Sequence, residues 1–295
     1  MPINYVSSDK HSLKTQYQLS EREQNSGKQV LKMKIALVQM EIKERNCAGN
    51  TEHGLVLLKE AAKLSDLVVL PEIWTTGYSL GHLEEEAVTL DSPLVKTLCK
   101  IARENQCSLL PGSLPIRKNG LVYNMIPAIS KEGKIVHEYG KAHLFGMFEE
   151  EKFFAPGESF DTFDLDGVRC GSTICYDLRF PEFYRYLALQ GAQMIVCPAE
   201  WPTRRGDGFD LLSRARAFEN HVFIAAVNCV GTFKGDPFYG HSRVIDPLNR
   251  IIAEGGDKEE IIYADIDLET VTKVRKNLNA LQDVRFTIRK PGEAK

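Results

Sequence analysis

Apolar and polar positions divide the chain into short, wholly apolar runs and longer stretches with a helical stripe. Residues 34–39 (KIALVQ) and 66–70 (DLVVL) are apolar runs of strand length. Between them, residues 51–64 carry Leu55, Leu58 and Ala62 at i, i+3 and i+7, one face of a helix. Asp91, Ser92 and Pro93 form a helix start, and Leu94, Leu98, Ile101 and Ala102 then make one face. A short strand follows at 108–110. The character then changes. Residues 121–129 and 134–139 flank Ser130 to Gly133, a hairpin signal. Strands are predicted at 168–174, 194–197 and 222–227, alternating with helices at 181–190 and 211–220. A last β region spans 241–245, 251–253 and 261–266, and 268–278 reads as helix. Strands alternating with helices and broken by hairpins predict a layered α/β fold with mixed sheets. The β-rich stretch between 110 and 170 is an insertion within one domain, since no linker or repeat marks a boundary.

Residues 1–32 break the pattern. They are rich in Ser, Gln, Lys and Glu with no apolar segment, and read as a polar, disordered extension, with Met33 an alternative start. The remaining 33–295 are expected to form one catalytic-size domain. Composition narrows the functional classes. A net charge of −3 and a pI near 6.2 lack the basic excess of a nucleic-acid partner. No apolar run approaches the ~18 residues of a membrane span. Seven cysteines, odd in number and without a C-x-x-C pair, argue against zinc and against a disulfide framework. The expectation is a cytoplasmic protein in a reducing compartment.

Three segments carry chemistry. In Leu70-Pro71-Glu72 an apolar strand ends at once in a carboxylate, and strand ends in α/β folds open onto clefts. Taken alone, Glu72 reads better as a solvated turn residue. In Tyr139-Gly140-Lys141-Ala142-His143, a lysine and a histidine follow a strand; His143 alone reads as structural, bonded to backbone. In Gly171-Ser172-Thr173-Ile174-Cys175-Tyr176-Asp177-Leu178-Arg179-Phe180-Pro181-Glu182, a cysteine sits on a turn between strand and helix. Backbone N–H groups and a helix dipole at such a turn lower a thiol pKa and bind an oxyanion. The competing reading is a buried inert cysteine, as for Cys170 and Cys197.

The ordered set Glu72, Lys141, Cys175 resembles the nitrilase superfamily of carbon–nitrogen hydrolases. Further matching segments are Pro198-Ala199-Glu200-Trp201-Pro202, Ala215-Arg216-Ala217-Phe218-Glu219-Asn220, Asn228, and Gly240-His241-Ser242-Arg243-Val244-Ile245-Asp246-Pro247. The resemblance covers residue 34 to about 289. It implies a four-layer α-β-β-α sandwich, with Cys175 as nucleophile, Glu72 as general base and Lys141 as oxyanion partner beside the Tyr176 N–H. It implies no metal or organic cofactor. A second glutamate follows the lysine in the family; of Glu149, Glu150 and Glu151, counting back from Pro156-Gly157-Glu158 favours Glu150.

Tyr176-Asp177 after the cysteine differs from the Trp-Glu of true nitrilases and resembles the amidase branches. Cys-Tyr-Asp-Leu-Arg-Phe-Pro-Glu, with Trp201-Pro202 and the Ala215–Asn220 run, looks most like the omega-amidases, which hydrolyse the terminal amide of short 2-oxo acids. The implied partner is a small-molecule amide, and the chain is expected to form a homodimer through helices near Pro181 and Leu268. A substrate carboxylate needs cations. Arg179 divides evenly between substrate contact and a structural salt bridge; Arg204 and Arg205 read first as a solvated loop. Glu200 and Trp201 are expected at the pocket rim, with a core role for Trp201 equally open. Alternatives are an N-carbamoyl amine hydrolase on the same triad, a non-catalytic binding member of the fold, and a thiol protease pairing Cys175 with His143 or His241.

Overall fold

The computed structural model describes residues 32–286 and residue 288. The expected polar extension therefore lies, apart from Lys32, outside the described residues. Strand β1 (Lys32–Gln39) sets the architecture. Its side chains alternate across the sheet, so Met33, Ile35 and Leu37 enter one core while Ala36 and Val38 enter another. A strand buried on both faces must be covered on both faces. The chain continues through β2 (Glu41–Ile42), α1 (Cys47–Ala62), β3 (Leu67–Val69), α2 (Leu83–Glu86), α3 (Pro93–Asn105), β4 (Ser108–Leu110), β5 (Leu114–Lys118), β6 (Leu121–Ile129) and β7 (Ile135–Gly140). It then forms β8 (Phe163–Leu165), β9 (Val168–Ser172), α4 (Pro181–Leu189), β10 (Met194–Pro198), α5 (Gly206–Asn220), β11 (Phe223–Val227), β12 (Val230–Phe233), β13 (Asp236–Pro237), β14 (Arg243–Ile245), β15 (Ile251–Glu254), β16 (Glu260–Asp267) and α6 (Glu269–Asn277).

Among the described residues, one sheet runs β16-β1-β3-β4-β6-β5, with β7 also paired to β6, and a second runs β15-β14-β11-β10-β9-β8. In each, a parallel centre (β1-β3-β4; β11-β10-β9) is flanked by antiparallel strands. The inner core joins Ile35, Leu37 and Val69 of the first sheet to Cys170, Met194 and Ile224 of the second. On the outer side of the first sheet, Val68 and Val38 pack on Leu58 of α1 and Leu98 of α3. Phe183 and Leu187 of α4 and Phe209 and Ala217 of α5 join the second sheet. The layers are thus α-β-β-α, the sandwich that the resemblance implied.

Sequence and structure differ at particular elements. Helix α1 begins at Cys47, four residues before its predicted start, and α5 begins at Gly206 rather than 211. Gly206 and Gly208 argue against a helix by propensity, but a Cβ on Gly206 would lie 2.6 Å from the Tyr239 ring. Packing against Tyr239 sets the helix start there. Strand β5 (LPIRK) went unpredicted because Pro115 breaks the pattern; it sits on a sheet edge, where proline is tolerated. The strand predicted at 168–174 stops at Ser172, since residues 173–179 belong to the turn that carries Cys175. Among the described residues, no helix is long and apolar enough to cross a membrane.

Candidate active site

Cys175 follows β9 and opens a 3₁₀ turn, Cys175–Arg179, ahead of α4. Its φ is +43°, a left-handed conformation that costs a non-glycine residue energy and persists only when neighbours hold it. Asp177 is the main anchor. Buried in the turn, it accepts hydrogen bonds from Ile174 N at 2.8 Å, Tyr139 Oη at 2.6 Å, His143 N at 3.0 Å and the His143 ring at 2.7 Å. One carboxylate therefore ties the residue before Cys175 to the segment that carries Lys141. Arg216 of α5 caps the other end of the turn, donating from Nε and Nη2 to Leu178 O at 3.1 and 2.9 Å.

Glu72 lies just beyond β3, and the end of β4 fixes the backbone around it. Ser113 Oγ accepts from Ile73 N at 2.8 Å, and Pro111 O accepts from Trp74 Nε1 at 2.7 Å. Gly112, at φ +61°, passes so close that a Cβ would stand 1.9 Å from Pro71 O. The carboxylate itself is fully buried and divided in function. Oε1 accepts from Lys141 Nζ at 2.7 Å, Asn124 Nδ2 at 2.8 Å and Tyr78 Oη at 3.2 Å. Oε2 accepts from Glu200 N, at 3.0 Å. With its lone pairs committed, Oε1 has no room for a further proton, so Oε2 is the oxygen with capacity to take one.

Lys141 follows β7 and is wholly buried between two carboxylates, with Nζ 2.7 Å from both Glu72 Oε1 and Glu150 Oε1. Burial alone would push its pKa down, but the charges of Glu150 and Glu72 outweigh this and raise it, so it stays an ammonium. Of the three consecutive glutamates, Glu149 is left-handed at φ +56° and turns the chain so that Glu150 alone is buried. Phe145 N donates to Glu150 Oε2 at 2.6 Å. Burial pushes the Glu150 carboxyl up, with Lys141 opposing.

Burial, and next the charge of Glu72, push the Cys175 thiol well above its usual range. The turn's backbone dipoles, which can lower a thiol, are outweighed here by desolvation. The resting residue is a thiol that a base must deprotonate, and the Glu72 carboxylate faces it.

Cys175 opens into a niche of about 20 Å³ that Phe145, Tyr176, Arg179, Glu200, Trp201, Pro202 and Arg205 also line. Tyr176 packs its ring on Phe145 at 4.9 Å. Arg179 is exposed and lies 4.9 Å over the Trp201 ring; among the described residues it makes no salt bridge, unlike one of its two predicted roles. Arg204 pairs with Asp236 at 3.1 Å. Arg205 departs from its solvated-loop expectation. It lies 5.6 Å over Phe145, donates from Nη2 to Met147 Sδ at 2.8 Å, and leaves a buried Nη1 without a partner among the described residues. Trp201 is both core and pocket wall: 2% exposed, with Nε1 donating to Arg205 O at 2.7 Å. Glu200 is not at a rim but buried, and neither carboxyl oxygen has a hydrogen-bond partner of good geometry. Burial and then Glu72 push it well above the usual carboxylate range, with Lys141 opposing.

The remaining motifs position rather than react. Asn228 Oδ1 accepts from Trp201 N at 2.7 Å, and its Nδ2 donates to Trp201 O and Gly240 O. His143 stacks on Phe180 at 3.6 Å and His241 on Tyr239 at 4.3 Å, and neither lines the niche. That arrangement disfavours a Cys–His protease. Sequence reasoning missed Tyr78, Asn124 and Asp177. Asn124 sits mid-strand in an apolar run, a buried polar residue that demands partners, and was the one legible signal among them.

The comparisons with known proteins follow the same lines. A carbon–nitrogen hydrolase family model matches residues 34–276. The 2-oxoglutaramate amidase of Bacillus subtilis is 39% identical over 255 residues, spanning 86% of this chain and 98% of that protein. The omega-amidase NIT2 of Mus musculus is 31% identical over 262 residues, 85% of this chain and 95% of that protein. Nit3 of Saccharomyces cerevisiae, a member of branch 10 of the nitrilase superfamily, superposes with a TM-score of 0.80 at 31% identity, over 88% of this chain and 100% of that one. XC1258 of Xanthomonas campestris, a CN-hydrolase superfamily protein with an arsenic adduct in its active site, gives 0.81 at 31% identity, over 88% and 99%. The chain belongs to the carbon–nitrogen hydrolase family. It is a hydrolase acting on non-peptide carbon–nitrogen bonds.

Proposed function

We propose that this hydrolase is an omega-amidase, cleaving the terminal amide of a short 2-oxo acid such as 2-oxoglutaramate, with Cys175, Glu72, Lys141 and Glu150 as its catalytic set. The carrying observation is the content of one niche: a cysteine facing a buried carboxylate, beside two guanidiniums, Arg179 and Arg205, neither paired to a carboxylate among the described residues. Two cations beside the thiol suit an amide with an anionic far end. The similarity to the Bacillus subtilis and Mus musculus enzymes supports the same substrate class.

In this reading Glu72 Oε2 takes the thiol proton as Sγ attacks the amide carbon. Charge develops on the carbonyl oxygen and meets the third N–H of Lys141 and the Tyr176 N–H; losing one such donor costs ~2.7–4 kcal/mol of transition-state stabilisation. Collapse breaks the C–N bond, and Glu72 returns its proton to the leaving nitrogen, which departs as ammonia. Glu72 then takes a proton from water as water attacks the thioester. The carboxylic acid leaves and Sγ regains the proton. Glu150 holds Lys141 charged and in line throughout.

We further propose a cytoplasmic homodimer. The exposed apolar residues Leu211 and Phe218, seven apart on α5, favour that helix as the contact; α4 turns Phe183, Tyr184 and Leu187 inward, and α6 buries only Val271. The assay of function is ammonia release from 2-oxoglutaramate, an N-carbamoyl amino acid and an aliphatic nitrile, with Cys175→Ala as control. Release from the oxo-amide well above the other two is expected; release from the carbamoyl compound alone would overturn the substrate and keep the chemistry.

A further inference from the structure

Tyr78 stands between two of the four residues given catalytic roles above, and the sequence assigned it nothing. Its hydroxyl lies 2.8 Å from Glu150 Oε1 and 3.2 Å from Glu72 Oε1, with Lys141 Nζ 3.5 Å away. A phenol has one proton to donate, so it serves one carboxylate at a time. Its ring packs edge-on against Phe148 at 4.5 Å and tilts against Phe233 at 6.0 Å. A phenylalanine would fill that aromatic site equally well. The hydroxyl is a buried polar atom whose partners are the two carboxylates and the ammonium between them. The ionisable groups facing it are Glu150, Glu72, Cys175 and Glu200, together with Lys141. Burial and the carboxylate charges raise the phenol well above its usual range, so it donates throughout the working pH.

We propose that Tyr78 is a positioning residue whose hydroxyl proton couples the base Glu72 to Glu150, shared between the two carboxylates as the charge on Glu72 changes. This rests on the reading of Glu72 as base. While Glu72 is anionic, the hydroxyl helps to hold the like-charged pair ionised around one ammonium. When Glu72 takes the thiol proton, its Oε1 becomes a weaker acceptor, and the hydroxyl settles on Glu150, already its nearer partner. Glu150 then keeps Lys141 in place as a Lys141 N–H engages the oxyanion. The residue touches no reacting atom. It sets the proton affinity of the pair that does.

Removing a donor from anionic carboxylates favours their protonated forms. Tyr78→Phe should therefore raise, by about one pH unit, the midpoint at which the two carboxyls titrate. That midpoint is read by ¹³C NMR of glutamate-labelled full-length protein, assigned with Glu72→Gln and Glu150→Gln. The acid limb of kcat/KM should move up with it. Site-specific 3-fluorotyrosine at 78, a more acidic phenol of nearly the same shape, should move both the other way and covers the case in which the phenylalanine variant folds poorly. An unmoved midpoint overturns the proposal, as does a moved midpoint with an unmoved acid limb. A moved midpoint in a protein that hydrolyses none of the amides upholds the shared donor and refutes the amidase reading instead.

Discussion

Asp177→Asn is the most informative single substitution outside the reacting groups. The change alters shape little, yet the structure leaves the amide no good orientation. Oδ2 accepts from Ile174 N and Tyr139 Oη, and Oδ1 accepts from His143 N and the His143 ring. Whichever oxygen becomes an NH₂ faces a backbone N–H. Tyr139 can turn its hydroxyl to accept, and the His143 ring can change tautomer, but a backbone donor has no such freedom. Leaving Ile174 N or His143 N unsatisfied costs about 1–3 kcal/mol, and the surviving bonds lose the charge that strengthened them. A destabilisation of about 3 kcal/mol follows, which for a domain of this size lowers Tm by roughly 6–12 °C. Ile174 leads into Cys175, and Tyr139 and His143 flank Lys141, so nucleophile and cation loosen together. A misplacement near 1 Å costs on the order of 10²-fold in rate. Urea denaturation and steady-state ammonia release on one preparation measure both. Stability within about 1 kcal/mol of wild type, with kcat within about twofold, would refute the reasoning, since errors of that size are ordinary for surface changes.

Other substitutions probe separate parts of the site. Because Glu72 helps to raise the Cys175 thiol and Lys141 opposes it, Glu72→Gln should speed alkylation of Cys175 by iodoacetamide at pH 8 while abolishing turnover, and Lys141→Met should slow alkylation; mass spectrometry at Cys175 reads both, and the opposite order would break the charge assignment. Arg205→Met should lower kcat/KM for an anionic amide by about tenfold, a charge-assisted bond discounted for partial exposure, and leave a neutral amide of equal length unchanged; equal losses on both would remove Arg205 from substrate recognition. Gly112→Ala should destabilise the fold by at least about 2 kcal/mol, combining a left-handed backbone with a Cβ 1.9 Å from Pro71 O, and a variant melting as wild type would contradict that geometry.

The layers were legible because buried parallel strands read as uninterrupted apolar runs and their covering helices as stripes. Glu72, Lys141 and Cys175 each end or follow such a strand, but singly each had a blander reading; the resemblance of the ordered set singled them out, and the structure brings all three together with Glu150. What escaped depends on contacts distant in sequence. Tyr78 reaches Glu150 across 72 positions, and no local pattern announces it. Glu149, Glu150 and Glu151 are indistinguishable by type, and counting back from Pro156-Gly157-Glu158 favoured Glu150; the physical reason, a left-handed turn at Glu149 that buries Glu150 alone of the three, exists only in the folded loop. At Cys175 the turn's dipoles can be read from sequence, while the depth of burial that outweighs them cannot. Arg205 looked solvated for the same reason: Phe145 and Met147, which its guanidinium meets, arrive from another segment.

The most direct test of the account is to mix wild type, Glu72→Gln and Cys175→Ala separately with 2-oxoglutaramate, quench in acid at intervals within the first turnover, and measure the intact mass and the modified peptide. Glu72 serves both halves of the proposed reaction, as base to the thiol, acid to the leaving nitrogen and base to water. The account expects one 2-oxoglutaryl group, attached at Cys175, to form and turn over in wild type and to be absent from both variants. An adduct on any other residue, or ammonia released in wild type with no acyl-enzyme ever detected and undiminished in Cys175→Ala, would contradict it.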